Sequence, residues 1–273
     1  MNKNKFLVTI TDEKQIAICK KASITNFLFP LKDYCVGYPT TFAIEEIKEN
    51  AYLYLNRILD SKAYENLRQT LMILPENIKG LVFEDFGVIT LVQELHLNLE
   101  LILYQTHFAT NHQSINENLE FVNSIVISTD ITKKEIDTIL SFTKKPLVYV
   151  LYSLVPAMYS RRTLLSNFEK EFQTATKNIV KLEEKISHNN FLAIENEYGT
   201  VLYHDKYFNG VDTFDEQKIK FYLINPIVMK QQEFEDLIGQ LIDGSKKLTE
   251  QESRGFLNQE TIYRLKEVRR AEN

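Results

Sequence analysis

Cysteine is scarce in this chain of 273 residues: Cys19 and Cys35 are the only two. With no CxxC pair and no third or fourth thiol, a zinc or iron-sulfur centre built on the cysteines of one chain is excluded. Both are expected as small buried hydrophobes rather than as a disulfide. A large excess of either charge is also lacking. Lys plus Arg number 32 against 37 Asp plus Glu, a net charge of -5, which leaves no global basic field to draw in nucleic acid. Long apolar runs are missing, since no window approaches the ~20 apolar residues of a membrane helix. Met1 to Lys5 is polar and basic, and the apolar stretch Phe6 to Ile10 is too short for a secretory h-region. A cytoplasmic protein with no membrane contact is therefore expected. The GxSxG, HExxH and P-loop signatures are absent, and no Gly-rich dinucleotide turn follows the first apolar run.

What is present is a rhythm. Short β-branched or aromatic runs recur at Phe6 to Ile10, Asn26 to Phe29, Tyr52 to Leu55, Gly80 to Phe83, Leu101 to Tyr104, Ser124 to Ile127 and Leu147 to Val150. Amphipathic segments lie between them, among them Asp12 to Ala22, Tyr64 to Leu74 and Lys133 to Phe142. This is the spacing of βα units, and continuous apolar strands suit burial on both faces. The fold class expected is α/β, a (β/α)8 TIM-like barrel in one domain. Its first seven units cover residues 1–167, and an inserted helix and β-hairpin cover 168–215. The last unit covers 216–245, and a polar C-terminal segment packed on the surface covers 246–273. Within the insertion, Phe168 to Ile186 reads as a charged amphipathic helix, and Phe191 to His204 as a hairpin around Tyr198-Gly199.

Barrel active sites gather at the C-terminal strand ends, where loops vary without disturbing the packed interior. Those ends carry Asn56, Glu84 and Asp85, the run Gln105-Thr106-His107, Asp130, and Tyr152-Ser153. Glu84 and Asp85 are the candidate acid and base, with Asn56, Gln105 and Asn111 orienting a substrate. After the seventh run, Tyr159 to Asn167 sets Arg161 and Arg162 beside the hydroxyls of Ser160 and Ser166, with Asn167 closing the string. Paired guanidinium groups and hydroxyl donors at a loop-to-helix junction suit a carboxylate or phosphate. The same arginines equally suit a solvated pair linked to the acidic face of Glu169 and Glu171. His107 and His112 are five apart, off the i, i+4 spacing of a metal pair, so no metal site is expected.

Gly80 to Val88, Thr110-Asn111, Tyr159-Ser160 with Arg162, and Leu164-Leu165-Ser166-Asn167 together resemble, in order, the peptidase U32 family. Arg254 to Leu257 and Thr261 to Lys266 resemble the family's closing segment. The resemblance implies a hydrolase, a collagenase-like peptidase acting on a peptide or an anionic small molecule. It alternatively implies a role in prephenate-dependent hydroxylation of tRNA or rRNA bases, and many relatives of that kind carry a four-cysteine iron-sulfur site. Here Pro156 and Thr163 stand where its first cysteines would be, Tyr152 and Ser153 replace a His-Gly pair, and Gly37 and Thr129 stand where relatives often have arginine. The alternative is then a cluster-lacking member or non-catalytic subunit, reaching RNA through a cluster-bearing paralogue. No cofactor is expected from this chain's own residues.

Overall fold

The computed structural model describes residues 2–175, 177–186, 188–212 and 214–259. Each apolar run of the sequence forms a strand. β1 (Phe6–Thr9), β2 (Asn26–Pro30), β3 (Ala51–Leu55), β4 (Ile78–Phe83), β5 (Glu100–Leu103), β6 (Ser124–Ile125) and β7 (Leu147–Ser160) follow one another along the chain. The hairpin strands β8 (Ile179–Glu183), β9 (Asn190–Asn196) and β10 (Gly199–Asn209) come next, then β11 (Ile219–Asn225) and β12 (Glu252–Ser253). In space the order is β6-β5-β4-β3-β2-β1-β11-β7, with parallel pairing throughout. Every residue of β1 and β3 is buried, as strands covered on both faces require. The sheet curls until Val126 bridges Val148 and the Ile127 N–H donates to the Val148 carbonyl at 2.9 Å. The result is a mixed α/β fold with a curled, barrel-like sheet.

The helices are α1 (Lys14–Lys21), α2 (Ser61–Met72), α3 (Gly87–Glu94), α4 (His112–Asn118), α5 (Lys133–Phe142), α6 (Leu164–Phe172) and α7 (Gln231–Asp243). α5 shows why its bounds were readable. Thr132 Oγ1 accepts from the Glu135 N–H at 3.2 Å while Glu135 accepts from the Thr132 N–H at 2.8 Å, and Ile136, Ile139 and Leu140 face the core. Among the described residues no helix is long and apolar enough to cross a membrane.

Four features differ from the sequence expectation. Between β2 and β3 the chain forms no α-helix, only a 3-10 turn at Ile44–Glu46. Tyr34, Val36, Tyr38 and Phe42 are all buried there, so the segment folds inward over the strand ends. The charged helix expected over 168–186 stops at Phe172, where Gln173 takes a left-handed φ of 52°, and Ile179–Glu183 pairs antiparallel with β9 instead. Pairing satisfies backbone groups that a lone charged helix would leave to local propensity alone. β7 does not end near Val150 but runs on to Ser160, its outer half paired with β10. Finally, the polar C-terminal segment is partly interior: β12 pairs with β10, and the Lys246 and Glu252 side chains are buried against each other at 2.5 Å. Glu252 also accepts from the Tyr152 hydroxyl at 2.8 Å and from Asn209 Nδ2 at 2.9 Å, so the charge is fully partnered. Thr261 to Lys266 lies outside the described residues.

Candidate functional site

A cavity of about 270 Å³ opens at the C-terminal ends of the strands. Its walls come from distant parts of the chain: Tyr54 from β3 and Asn56 just after it, Glu84 and Asp85 after β4, Gln105 and His107 after β5, Tyr203 from β10 and Asn225 from β11. Tyr38 arrives from the inward-folded β2–β3 segment, edge-on to Tyr54 at 5.6 Å. Gly37 makes that entry possible. Its φ is +81°, and a Cβ there would lie 2.6 Å from the Tyr203 hydroxyl and 2.7 Å from Val201. Gly37→Ala is expected to cost roughly 2–4 kcal/mol in thermal unfolding, combining left-handed strain with overpacking. The same crowding leaves no room for an arginine at this position.

Of the two candidate carboxyls, Asp85 is committed to the backbone. Its Oδ2 accepts from the Leu59 N–H at 3.0 Å and its Oδ1 from the Gly87 N–H at 2.8 Å. Glu84 instead meets the Tyr54 hydroxyl at 3.2 Å. Burial among tyrosine rings pushes Glu84 up to about 8, with the Tyr54 hydrogen bond opposing it weakly, so it holds a proton at neutral pH. Asn56 lines the cavity but spends its amide on the loop, accepting from the Val36 N–H at 2.8 Å and donating to the Val36 carbonyl at 2.9 Å. Gln105 donates to the Glu84 carbonyl at 3.2 Å.

The other predicted residues lie elsewhere. Asn111 caps α4, accepting from the Ser114 N–H at 2.9 Å. Arg161 is exposed and ion-paired with Asp60 at 3.2 Å, Arg162 and Asn167 are exposed, and none of the three lines the cavity. Ser160 accepts from the Arg162 N–H at 3.1 Å. The string Leu164-Leu165-Ser166 does bind an anion, and that anion is the protein's own Glu195. Its carboxylate accepts from the N–H groups of Leu165 at 2.7 Å and Ser166 at 2.9 Å, from the Ser166 hydroxyl at 2.5 Å and from the Thr200 hydroxyl at 2.6 Å. Burial alone would raise Glu195, but these four donors outweigh it and hold the group below the usual carboxylate range. The segment therefore fastens α6 to the hairpin.

Sequence reasoning missed one pair. His107 Nδ1 lies 2.6 Å from Asp130 Oδ2, across 23 positions of chain, with His107 on the cavity wall. Both residues were visible as strand-end positions, but nothing local pairs them. Cys19 and Cys35 are buried; burial pushes Cys19 up to about 12 and raises Cys35 as well. Two interior thiols are too few for a four-cysteine cluster.

Fold and cavity together define a barrel-like α/β protein with a pocket at its strand ends whose wall carries ionisable side chains. The chain belongs to peptidase family U32, whose sequence profile matches residues 40–177, half of its length. The solved structure of the U32 peptidase Mk0906 shares the fold, with a TM-score of 0.52 and 11% identity, over 81% of this chain and 92% of that one. A chitinase from Chromobacterium violaceum is a remoter likeness, with a TM-score of 0.40 and 10% identity, over 86% of this chain and 98% of its own. No curated protein matches the chain.

Proposed function

We propose that this chain is a hydrolase of peptide-type substrates, with its reaction at the strand-end cavity. Family membership supports the class, and the eight parallel strands read as a (β/α)8 barrel with one helix replaced by the β2–β3 segment. The observation that carries the reading is the His107–Asp130 pair. Asp130 holds the imidazole by Nδ1, which leaves Nε2 to take a proton from a water and return it to the leaving amine. Imidazolium formed in that step is stabilised by the Asp130 carboxylate. The Ser153 hydroxyl lines the same cavity but donates to the Leu154 carbonyl at 2.7 Å, so water is the better nucleophile. The cavity wall carries no lysine or arginine among the described residues, and an anionic substrate is accordingly not favoured.

His107→Ala is expected to lower peptide cleavage by ~10²-fold or more with little change in melting temperature, since the side chain is half exposed. Mass spectrometry of a mixed peptide library incubated with each protein checks this. No cleavage by the unmodified chain, or equal cleavage by the variant, would remove the proposal.

A further inference from the structure

Two polar groups of the cavity, Glu84 and Asn225, are acceptors short of donors, and the Tyr159 hydroxyl on the same wall also has no partner among the described residues. Glu84 has Tyr54 as its hydrogen-bond partner among the described residues and no cation beside it. Asn225 is buried at the end of β11; its Nδ2 donates to the Tyr38 hydroxyl at 2.8 Å, while its Oδ1 has no partner among the described residues. A buried acceptor left unmade costs free energy that a ligand's donor would recover. Tyr38, Tyr54 and Tyr104 surround these acceptors, Tyr54 and Tyr104 stacked at 5.9 Å, and ring faces attract cations.

Arg57 and Arg161 are already engaged. Arg57 lies over the Tyr198 ring at 4.0 Å and 3.6 Å from Asp60, and Arg161 pairs with the same Asp60. The other titratable groups facing Glu84 are Tyr38, Tyr104, Tyr159, Tyr203 and Cys35, which are neutral at pH 7, Asp85, which is tied to the backbone, and His107.

We propose that this cavity takes a cationic, donor-rich head group, the guanidinium or ammonium of a basic peptide side chain. The inference rests on reading the cavity as the substrate site and names the class of side chain it admits. Glu84 supplies the charge, the Asn225 oxygen accepts one N–H, and the tyrosine faces enclose the apolar stem. Binding a cation beside Glu84 favours its ionised form, so complex formation at pH 7 releases close to one proton to the buffer. Affinity then rises with pH up to about 8 and levels off beyond it.

Calorimetric titration of the full chain with N-acetyl-arginine amide, and with its neutral isostere N-acetyl-citrulline amide, tests this. Two buffers of different ionisation enthalpy report the proton count. The arginine probe is expected to bind at least tenfold tighter than the citrulline probe, with proton release that disappears above pH 9. Glu84→Gln, shown to be folded by its melting curve, is expected to abolish the preference. Equal binding of the two probes, no saturation by the arginine probe, or an unchanged preference in Glu84→Gln would each overturn the proposal. Binding and cleavage are read separately on the unmodified chain: preference for the arginine probe without peptide cleavage counts against the reaction, and cleavage without that preference counts against the ligand.

Discussion

Replacing Glu195 with Ala is expected to lower stability by about 3 kcal/mol and the melting temperature by roughly 6–12 °C. The carboxylate is buried and collects four donors, two backbone N–H groups at the start of α6 and the hydroxyls of Ser166 and Thr200. Removing it takes the acceptor from two backbone N–H groups and the Ser166 hydroxyl and leaves Thr200 with the Arg162 carbonyl at 2.9 Å, which costs more than the net worth of the lost bonds themselves. The loss should be local first. Amides of α6 and of the β9–β10 hairpin are expected to exchange faster with solvent, while those of β1 and β3 change little. Glu195→Gln keeps the shape and one acceptor oxygen, so about half the loss is expected. The pH dependence has a definite sign. Glu195 is held below its ordinary value of 4.5, so its contribution is present above that value and is lost as pH falls through the depressed one. The gap between the unmodified chain and Glu195→Gln should therefore close in acid. An Ala variant that melts within a degree of the parent would contradict the fastening role.

Glu84→Gln is expected to act in the opposite direction. Because Glu84 is pushed up from 4.5 to about 8, the folded chain retains a proton that the unfolded chain has already released across that window. The group's contribution is fully present below pH 4.5 and is lost as pH rises through about 8. Gln does not titrate. At pH 9 the variant should be the more stable protein, by roughly 2 kcal/mol after allowance for partial solvent exposure, or about 5 °C in melting temperature. At pH 4 the two should melt together. Melting curves at half-unit steps of pH from 4 to 9.5 check this, and a difference that does not grow with pH would mean that Glu84 ionises as an ordinary carboxylate. The experiment needs no substrate, so it tests the electrostatics of the cavity independently of any activity.

The legible and illegible parts of this molecule divide by the range of the interactions behind them. The runs from Phe6 to Val150 announced strands because a strand buried on both faces must be apolar throughout, and α5 announced itself through a helical stripe. Glu84 was legible as a strand-end carboxyl. Its separation from Asp85 was not, because which neighbour turns into the cavity depends on the Leu59 and Gly87 amides that claim Asp85. The arginines at 161 and 162 misled for a related reason. Of the two hydroxyls beside them, that of Ser166 does bind an anion, but the hairpin delivers Glu195 to it from 29 positions further along the chain. The stretch from Phe168 to Ile186 carries the charges of a surface helix, yet its second half became a strand because β9 offered an edge.

What the sequence by itself determined is therefore the alternation of buried strands and amphipathic helices, the scarcity of thiols and the family. The first two follow from local periodicity and composition, which act over a few residues; the family follows from the ordered motifs between Gly80 and Asn167 and from the profile that matches residues 40–177. Tertiary structure alone decided that His107 meets Asp130, that Tyr38 folds over the strand ends past Gly37, and that Arg161 pairs with Asp60 while neither it nor Arg162 lines the cavity. These are contacts between residues far apart in the chain, set by how the sheet curls and where loops are trapped against it, and no local pattern encodes that closure.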